Sequence, residues 1–218
     1  MKKDACKRLL VACLVAATAM GCDGIYDSPD HQPAQSGGLA LSEIDCRDYT
    51  QWVYINLDSL SATAAPHDDT LHIPAVWHIA LHRYDVKTLG GKAVETTYGD
   101  LSALLGDLAN GAWALPADSL WHADVADSIV VDMSTMMDGY LGMAPGTLNP
   151  VLCRWLHVDV SQMPPIYTPS NKVYLLRLPN GRTAALRFTG YYSPSRHNEK
   201  GYVSLAWAWL PSLAPAAQ

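Results

Sequence analysis

The sequence predicts an all-β fold, an antiparallel sandwich or open barrel with one short helix, and three observations carry that prediction. From residue 51 onward, short runs rich in β-branched and aromatic residues recur, each bounded by Gly, Pro, Asn or Asp. In the clearest run, Ala184, Leu186 and Phe188 alternate with Ala185, Arg187 and Thr189, the two-residue period of a strand with one apolar and one mostly wet face. Helical spacing interrupts this pattern in one segment alone.

Taken along the chain, strands are expected at Gln51–Asp58, Ala75–Val86, Ala93–Thr97, Ser128–Met133, Leu152–Asp159, Lys172–Leu178, Thr183–Tyr192 and Tyr202–Trp209. Seven or eight strands at this spacing make a sandwich or an open barrel. The best hairpin joins Lys172–Leu178 to Arg182–Phe188 through Pro179-Asn180-Gly181, where Asn-Gly supplies the positive φ values of a tight connection. The helix is expected over Tyr98–Asn110, with leucines at 101, 104, 105 and 108 and Asp100 or Ser102 as its cap. His78 and His82 invite a metal reading. On one strand, however, residues four apart lie about 13 Å from each other, too far to share an ion. They are expected as solvated or hydrogen-bonded surface histidines, opposite the face that carries Trp77, Ile79 and Leu81.

Ahead of the domain, Lys2, Lys3, Lys7 and Arg8 precede an apolar stretch from Leu9 to Met20. This is the pattern of a secretory signal over residues 1–21, too short for a comfortable transmembrane helix. Ala19-Met20-Gly21-Cys22 resembles a bacterial lipobox, with Cys22 as the lipid-modified first residue of the mature chain. Residues 22–40, rich in Asp, Pro, Ser and Gly, read as a flexible tether, residues 41–212 as the domain and 213–218 as a tail. From Cys22 onward 11 basic residues face 20 acidic ones, a net −9 that argues against a nucleic-acid partner. Two cysteines remain besides Cys22, Cys46 and Cys153, either a disulfide or buried thiols.

Catalytic motifs do not support an enzyme. The chain contains no G-x-S-x-G, no H-E-x-x-H, no glycine-rich phosphate loop and no paired zinc cysteines. The methionines are more informative. Met133, Met136, Met137, Met143 and Met163 fall within 31 residues, four of them in DMSTMMDGYLGM and the fifth in VSQMPPIY. Methionines in loops suggest a soft wall for a flat apolar ligand, thioether ligands to a soft metal, or loop ends folded onto the sandwich.

Several strings together resemble the HmuY haem-binding lipoprotein family of Bacteroidetes: WHIALHRYDVK from Trp77, Trp155-Leu156 with Tyr167 and Ser170-Asn171-Lys172-Val173-Tyr174, and Tyr191-Tyr192 with Lys200-Gly201-Tyr202-Val203. The resemblance spans roughly Gln51 to Trp209 and implies an all-β fold with a right-hand outline and a loop-lined pocket that grips haem through two axial side chains. It further implies a haemophore on the outer membrane or released from it, lipid-anchored and delivering haem to a TonB-dependent outer-membrane receptor. Asp23, Asp27 and Asp30 after Cys22 fit export to the surface. Where the family's best-known form places axial histidines, this chain has Tyr140 and Val160. Other members resembling it use methionines in these loops, which implies Met163 with Met137 as ligands and Met136 as the alternative to Met137. Met133, Met143, Tyr140, Pro164, Pro165 and Ile166 then wall the porphyrin. The alternative is the same fold as a binding module for another tetrapyrrole, a glycan or a protein partner, without haem ligation.

Overall fold

A computed structural model describes residues 38–211. The expected signal segment, Cys22 as the expected site of lipidation, nearly all of the expected tether and the expected tail lie outside the described residues. The strands are β1 Leu39–Asp45, β2 Gln51–Asn56, β3 Ser61–Pro66, β4 Ile79–His82, β5 Asp85–Thr88, β6 Lys92–Glu95, β7 His122–Ala123, β8 Val125–Asp132, β9 Gly142–Leu148, β10 Leu156–Asp159, β11 Ile166–Pro169, β12 Val173–Arg177, β13 Thr183–Ser193 and β14 Glu199–Trp209, with helix α1 at Leu101–Ala109. They form a six-stranded sheet in the order β1-β14-β13-β12-β6-β7, a four-stranded sheet in the order β3-β2-β4-β5, and two separate hairpins, β8–β9 and β10–β11. Every pairing is antiparallel, as expected from the sequence.

The two large sheets bury one core. Tyr174, Leu176, Leu186, Phe188, Val203, Leu205 and Trp207 of the first pack with Val53, Ile55, Ile79, Leu81 and Val86 of the second. Burying each such side chain contributes roughly 1.5–3 kcal/mol, which is why the two-residue period is so legible here. The outer face of the six-stranded sheet is covered rather than wet. Val94, Val173, Leu175 and Ala185 pack beneath Leu101 and Leu104 of α1 and beneath Trp121. Asp100 caps α1, its carboxylate accepting the Ala103 N–H at 2.7 Å. A third cluster lies outside the four-stranded sheet, where Ile129 and Leu148 of the first hairpin pack on Trp52, Tyr54 and Trp77.

Several expectations are corrected. The segment Ala75–Val86 is not one strand. It folds back between β4 and β5 at Arg83-Tyr84, with Arg83 at φ +57° in place of the Gly or Asn that normally marks such a turn. Both histidines are therefore buried. His78 Nδ1 accepts the Leu57 N–H at 3.0 Å, and His82 Nε2 donates to the Tyr49 carbonyl at 2.7 Å. Leu152–Trp155 is a 3-10 turn, so β10 begins only at Leu156. In the β12–β13 turn Gly181 alone takes positive φ, +83°, and its N–H donates to the Leu178 carbonyl at 2.9 Å. Cys46 and Cys153 are free thiols. Burial pushes the Cys153 thiol up to about 12, and the Cys46 thiol upward as well.

Candidate functional site

The two hairpins share a foundation. Seven residues, Asn149 to Trp155, join the end of β9 to the start of β10, and they are fastened to β5 and the turn before it. The Asn149 N–H donates to the Val86 carbonyl at 2.7 Å, and Trp155 Nε1 donates to the Tyr84 carbonyl at 2.8 Å. Cys153 Sγ lies 3.2 Å from the Val86 nitrogen. Asn149 is fully buried and uses all of its amide. Nδ2 donates to the His122 carbonyl and to Asp124 Oδ1, both at 3.0 Å, while Oδ1 accepts the N–H groups of Val151 (3.2 Å) and Leu152 (3.0 Å). The linker from which both hairpins leave is thus fixed to the four-stranded sheet, although neither hairpin is paired to a large sheet.

Beyond this foundation β8–β9 ends in a tight, internally bonded tip. Asp132 accepts from the Ser134 N–H at 2.7 Å and from its hydroxyl at 3.0 Å, which holds the Asp132 carboxyl below the usual range. Gly142 faces Asp132 so closely that a Cβ there would sit 2.7 Å from the Asp132 Cβ. The turn is a single 3-10 coil, Met136–Asp138, closed by Gly139 at φ +84°. Neighbouring residues of a 3-10 coil point about 120° apart. Met136 and Met137 accordingly face different ways, 42% and 89% exposed, and Tyr140 follows at 72%. Met143 lies in β9 itself, not between strands.

The second tip runs from Val160 to Pro165. Asp159 Oδ1 accepts the Ser161 N–H at 2.9 Å, and its carboxyl is held low by that residue. The Met163–Pro164 peptide is cis. Met163 is 79% exposed, Val160 72%, and Pro164 and Ile166 are also exposed. The opposite face of β10–β11 is anchored, since Val158 and Tyr167 pack on the main core. The residues the sequence singles out therefore stand on two hairpin tips: Met136, Met137 and Tyr140 on the first, Met163, Pro164 and Ile166 on or beside the second. Their thioethers are neutral, soft donors.

The family model described as HmuY protein matches residues 48–207, from just before β2 to within β14. The chain belongs to the HmuY family. Two solved Bacteroides structures place this HmuY protein among close relatives. One, from Bacteroides vulgatus and assigned as a HmuY-like heme binding protein, is 37% identical, with 78% of this chain and 90% of that one covered and a TM-score of 0.68. The other, from Bacteroides fragilis and assigned as a lipoprotein, is 43% identical over 77% and 86% of the two chains, with a TM-score of 0.66. An apo HmuY analog from Tannerella forsythia, 23% identical over 83% and 100% of the chains with a TM-score of 0.62, shares the fold. Comparison with curated proteins gives no match.

In this HmuY-family chain the positions read as the family's histidine sites, Tyr140 and Val160, are both exposed and hold no imidazole, and the tips offer the thioethers of Met136, Met137 and Met163 beside the Tyr140 phenol. Sequence reasoning missed the polar framework behind them. Asn149-Pro150 is a turn dipeptide by composition, and nothing in it discloses an amide buried across three elements. Lys87 is another such residue. Its ammonium lies 4.1 Å from the Trp52 ring centroid, 5.0 Å from that of Tyr54 and 5.8 Å from that of Trp77, and burial pushes it down to about 8.

Proposed function

We propose that the protein is a haem-binding surface lipoprotein of haemophore type. The observation that supports this reading is the exposure of methionines on the tips of two hairpins that leave one linker in a HmuY-family chain. Met163 from one tip and Met137 from the other would be the axial ligands, with Met136 in place of Met137 as the alternative. Tyr140, Pro164 and Ile166 would line the porphyrin faces. The residues suit the group: an uncharged thioether approaches iron in an apolar setting without the desolvation cost of a carboxylate. Bound haem would supply a redox-active iron, and thioether ligation favours its reduced state. Anchored through a lipid on Cys22 at the outer membrane, the protein would hold haem for a TonB-dependent receptor. No catalytic role is assigned.

The test is titration of residues 23–218 with haem under dithionite. A sharp low-spin spectrum is expected in the wild type, and its loss in Met163→Ala and in Met137→Ala or Met136→Ala. If the spectrum stays that of free haem, or none of the methionine variants changes it, the reading is wrong. Val160, an exposed aliphatic residue at a family ligand position, favours a second reading, a binding module without axial ligation. Metal-free porphyrin would then bind as tightly as haem.

A further inference from the structure

Beneath the second hairpin a positive charge is set among phenol rings without a counter-ion. Arg83 occupies the β4–β5 turn at φ +57°, a region that disfavours any residue with a Cβ. Its guanidinium carbon lies 4.5 Å from the centre of the Tyr49 ring and 6.0 Å from that of Tyr191. Nη1 donates to the Arg47 carbonyl at 3.0 Å. Room for it depends on Gly201, at φ +97°, where a Cβ would stand 2.8 Å from Nη1 and 2.7 Å from Arg47 Cγ. Among the described residues no carboxylate lies within salt-bridge distance of Arg83, and its buried Nε has no hydrogen-bond partner.

Tyr191 is in the same condition. The residue is 0% exposed and its hydroxyl has no partner among the described residues. Its ring lies 5.0 Å from that of Tyr167 and 6.0 Å from that of Tyr84. Lys200 adds a second cation, 4.9 Å from the Tyr167 ring centre. A buried donor without an acceptor is destabilising, and Arg83 Nε and the Tyr191 hydroxyl are two such donors in one cluster. Groups held that way by a glycine contact and a disfavoured turn are suited to a partner that arrives. The cover over Tyr191 is Tyr167, part of β11, which pairs only with β10. Tyr167 also packs on the main core, so a ligand that reaches the Tyr191 hydroxyl displaces that ring while both large sheets stay intact.

We propose that Arg83 and Tyr191 form a carboxylate-binding site for the acidic edge of the ligand held at the hairpin tips. The inference rests on the haem reading, in which the carboxylates are the porphyrin propionates, and Tyr167 links the site to Met163 four residues earlier. The experiment uses metal-free protoporphyrin and its dimethyl ester, so that axial ligation plays no part, with binding read from quenching of tryptophan fluorescence. The wild type should prefer the diacid by about tenfold, the scale of one charge-assisted hydrogen bond. Tyr191→Phe and Arg83→Met should each reduce that preference to about threefold or less. Tyr191→Phe should also raise the urea midpoint of the free protein, because it removes a buried hydroxyl with no partner. Should Arg83→Met fail to fold, Tyr191→Phe decides alone. An unchanged preference in Tyr191→Phe, or a fall in its urea midpoint, overturns the site. If the methionine variants lose the haem spectrum while the wild type treats diacid and ester alike, this inference fails and the haem reading stands. If the wild type prefers the diacid but its haem spectrum ignores the methionines, the carboxylate site stands and methionine ligation fails. Failure to bind any porphyrin overturns both.

Discussion

Replacing Asn149 by Asp changes one atom of the buried amide and should undo the foundation of both hairpins. Aspartate keeps the acceptor for the Val151 and Leu152 N–H groups but loses both Nδ2 donors. The His122 carbonyl is left without that partner, at a cost of about 1–2 kcal/mol. A carboxylate oxygen also comes to rest 3.0 Å from Asp124 Oδ1, where an acceptor had faced a donor. Two like charges at that range repel by about 5.5 kcal/mol at an effective dielectric of 20. The pair escapes part of this by taking up a proton, so the net loss at pH 7.5 should be about 4 kcal/mol. That is a large share of the 5–15 kcal/mol typical of a domain. The pH sign follows from the same pair. Its carboxyl is raised in the folded chain above the value of about 3.9 it has when unfolded, so the native state binds the extra proton first and the deficit shrinks as pH falls. Urea unfolding followed by tryptophan fluorescence at pH 7.5 and 5, each against wild type, measures this, with Asn149→Ala as a control whose deficit does not shrink. A deficit for Asn149→Asp below about 1 kcal/mol at pH 7.5, or one equal at both pH values, would refute the reasoning.

Three further outcomes are expected. Lys87→Met should raise stability at pH 7. The fall of the ammonium from 10.5 to about 8 corresponds to roughly 3 kcal/mol, and partial solvation and the three rings reduce the gain to about 1–2 kcal/mol. Because the unfolded chain holds that proton longer, wild-type stability should rise from pH 8 toward 10.5, and the variant should lack that rise in urea unfolding. Gly142→Ala, which forces a Cβ against Asp132, should cost about 1–3 kcal/mol and weaken haem binding more than Gly139→Asn, whose left-handed turn Asn tolerates and whose Cβ meets open space. In an NMR titration His78 should protonate below 6.5, since burial outweighs the attraction of Asp58, and a midpoint at or above 6.5 would reverse that order.

The strands of the main core were legible because their apolar residues recur at period two. Strands without that signal were not. β3 is Ser-Ala-Thr-Ala-Ala-Pro, with little to bury, and β9 carries two glycines and a proline, the marks of a loop. The turn at Arg83-Tyr84 has no turn residue in it, so β4 and β5 read as one strand and two buried histidines read as surface ones. Ala185 and Arg187 read as wet yet are buried, Ala185 beneath a helix that is distant in sequence. The methionine tips stood out by position alone. The Arg83–Tyr191 cluster did not: both residues lie in the strings that resemble the family, but they stand 108 positions apart, and nothing in either string shows that the fold brings them together.

The register of β1 gives the domain two poles. Leu39 pairs with Trp207 and Asp45 with Tyr202, about 20 Å farther along the strand. The chain enters the fold beside the β12–β13 turn and reaches Arg47, Gly201 and Arg83 at the opposite end of the sheet. Whatever precedes Leu39 is attached at the pole remote from the tyrosines and arginines. A ligand that arrives at the Arg83 pole therefore does not compete for space with the strand end at which the chain enters the domain.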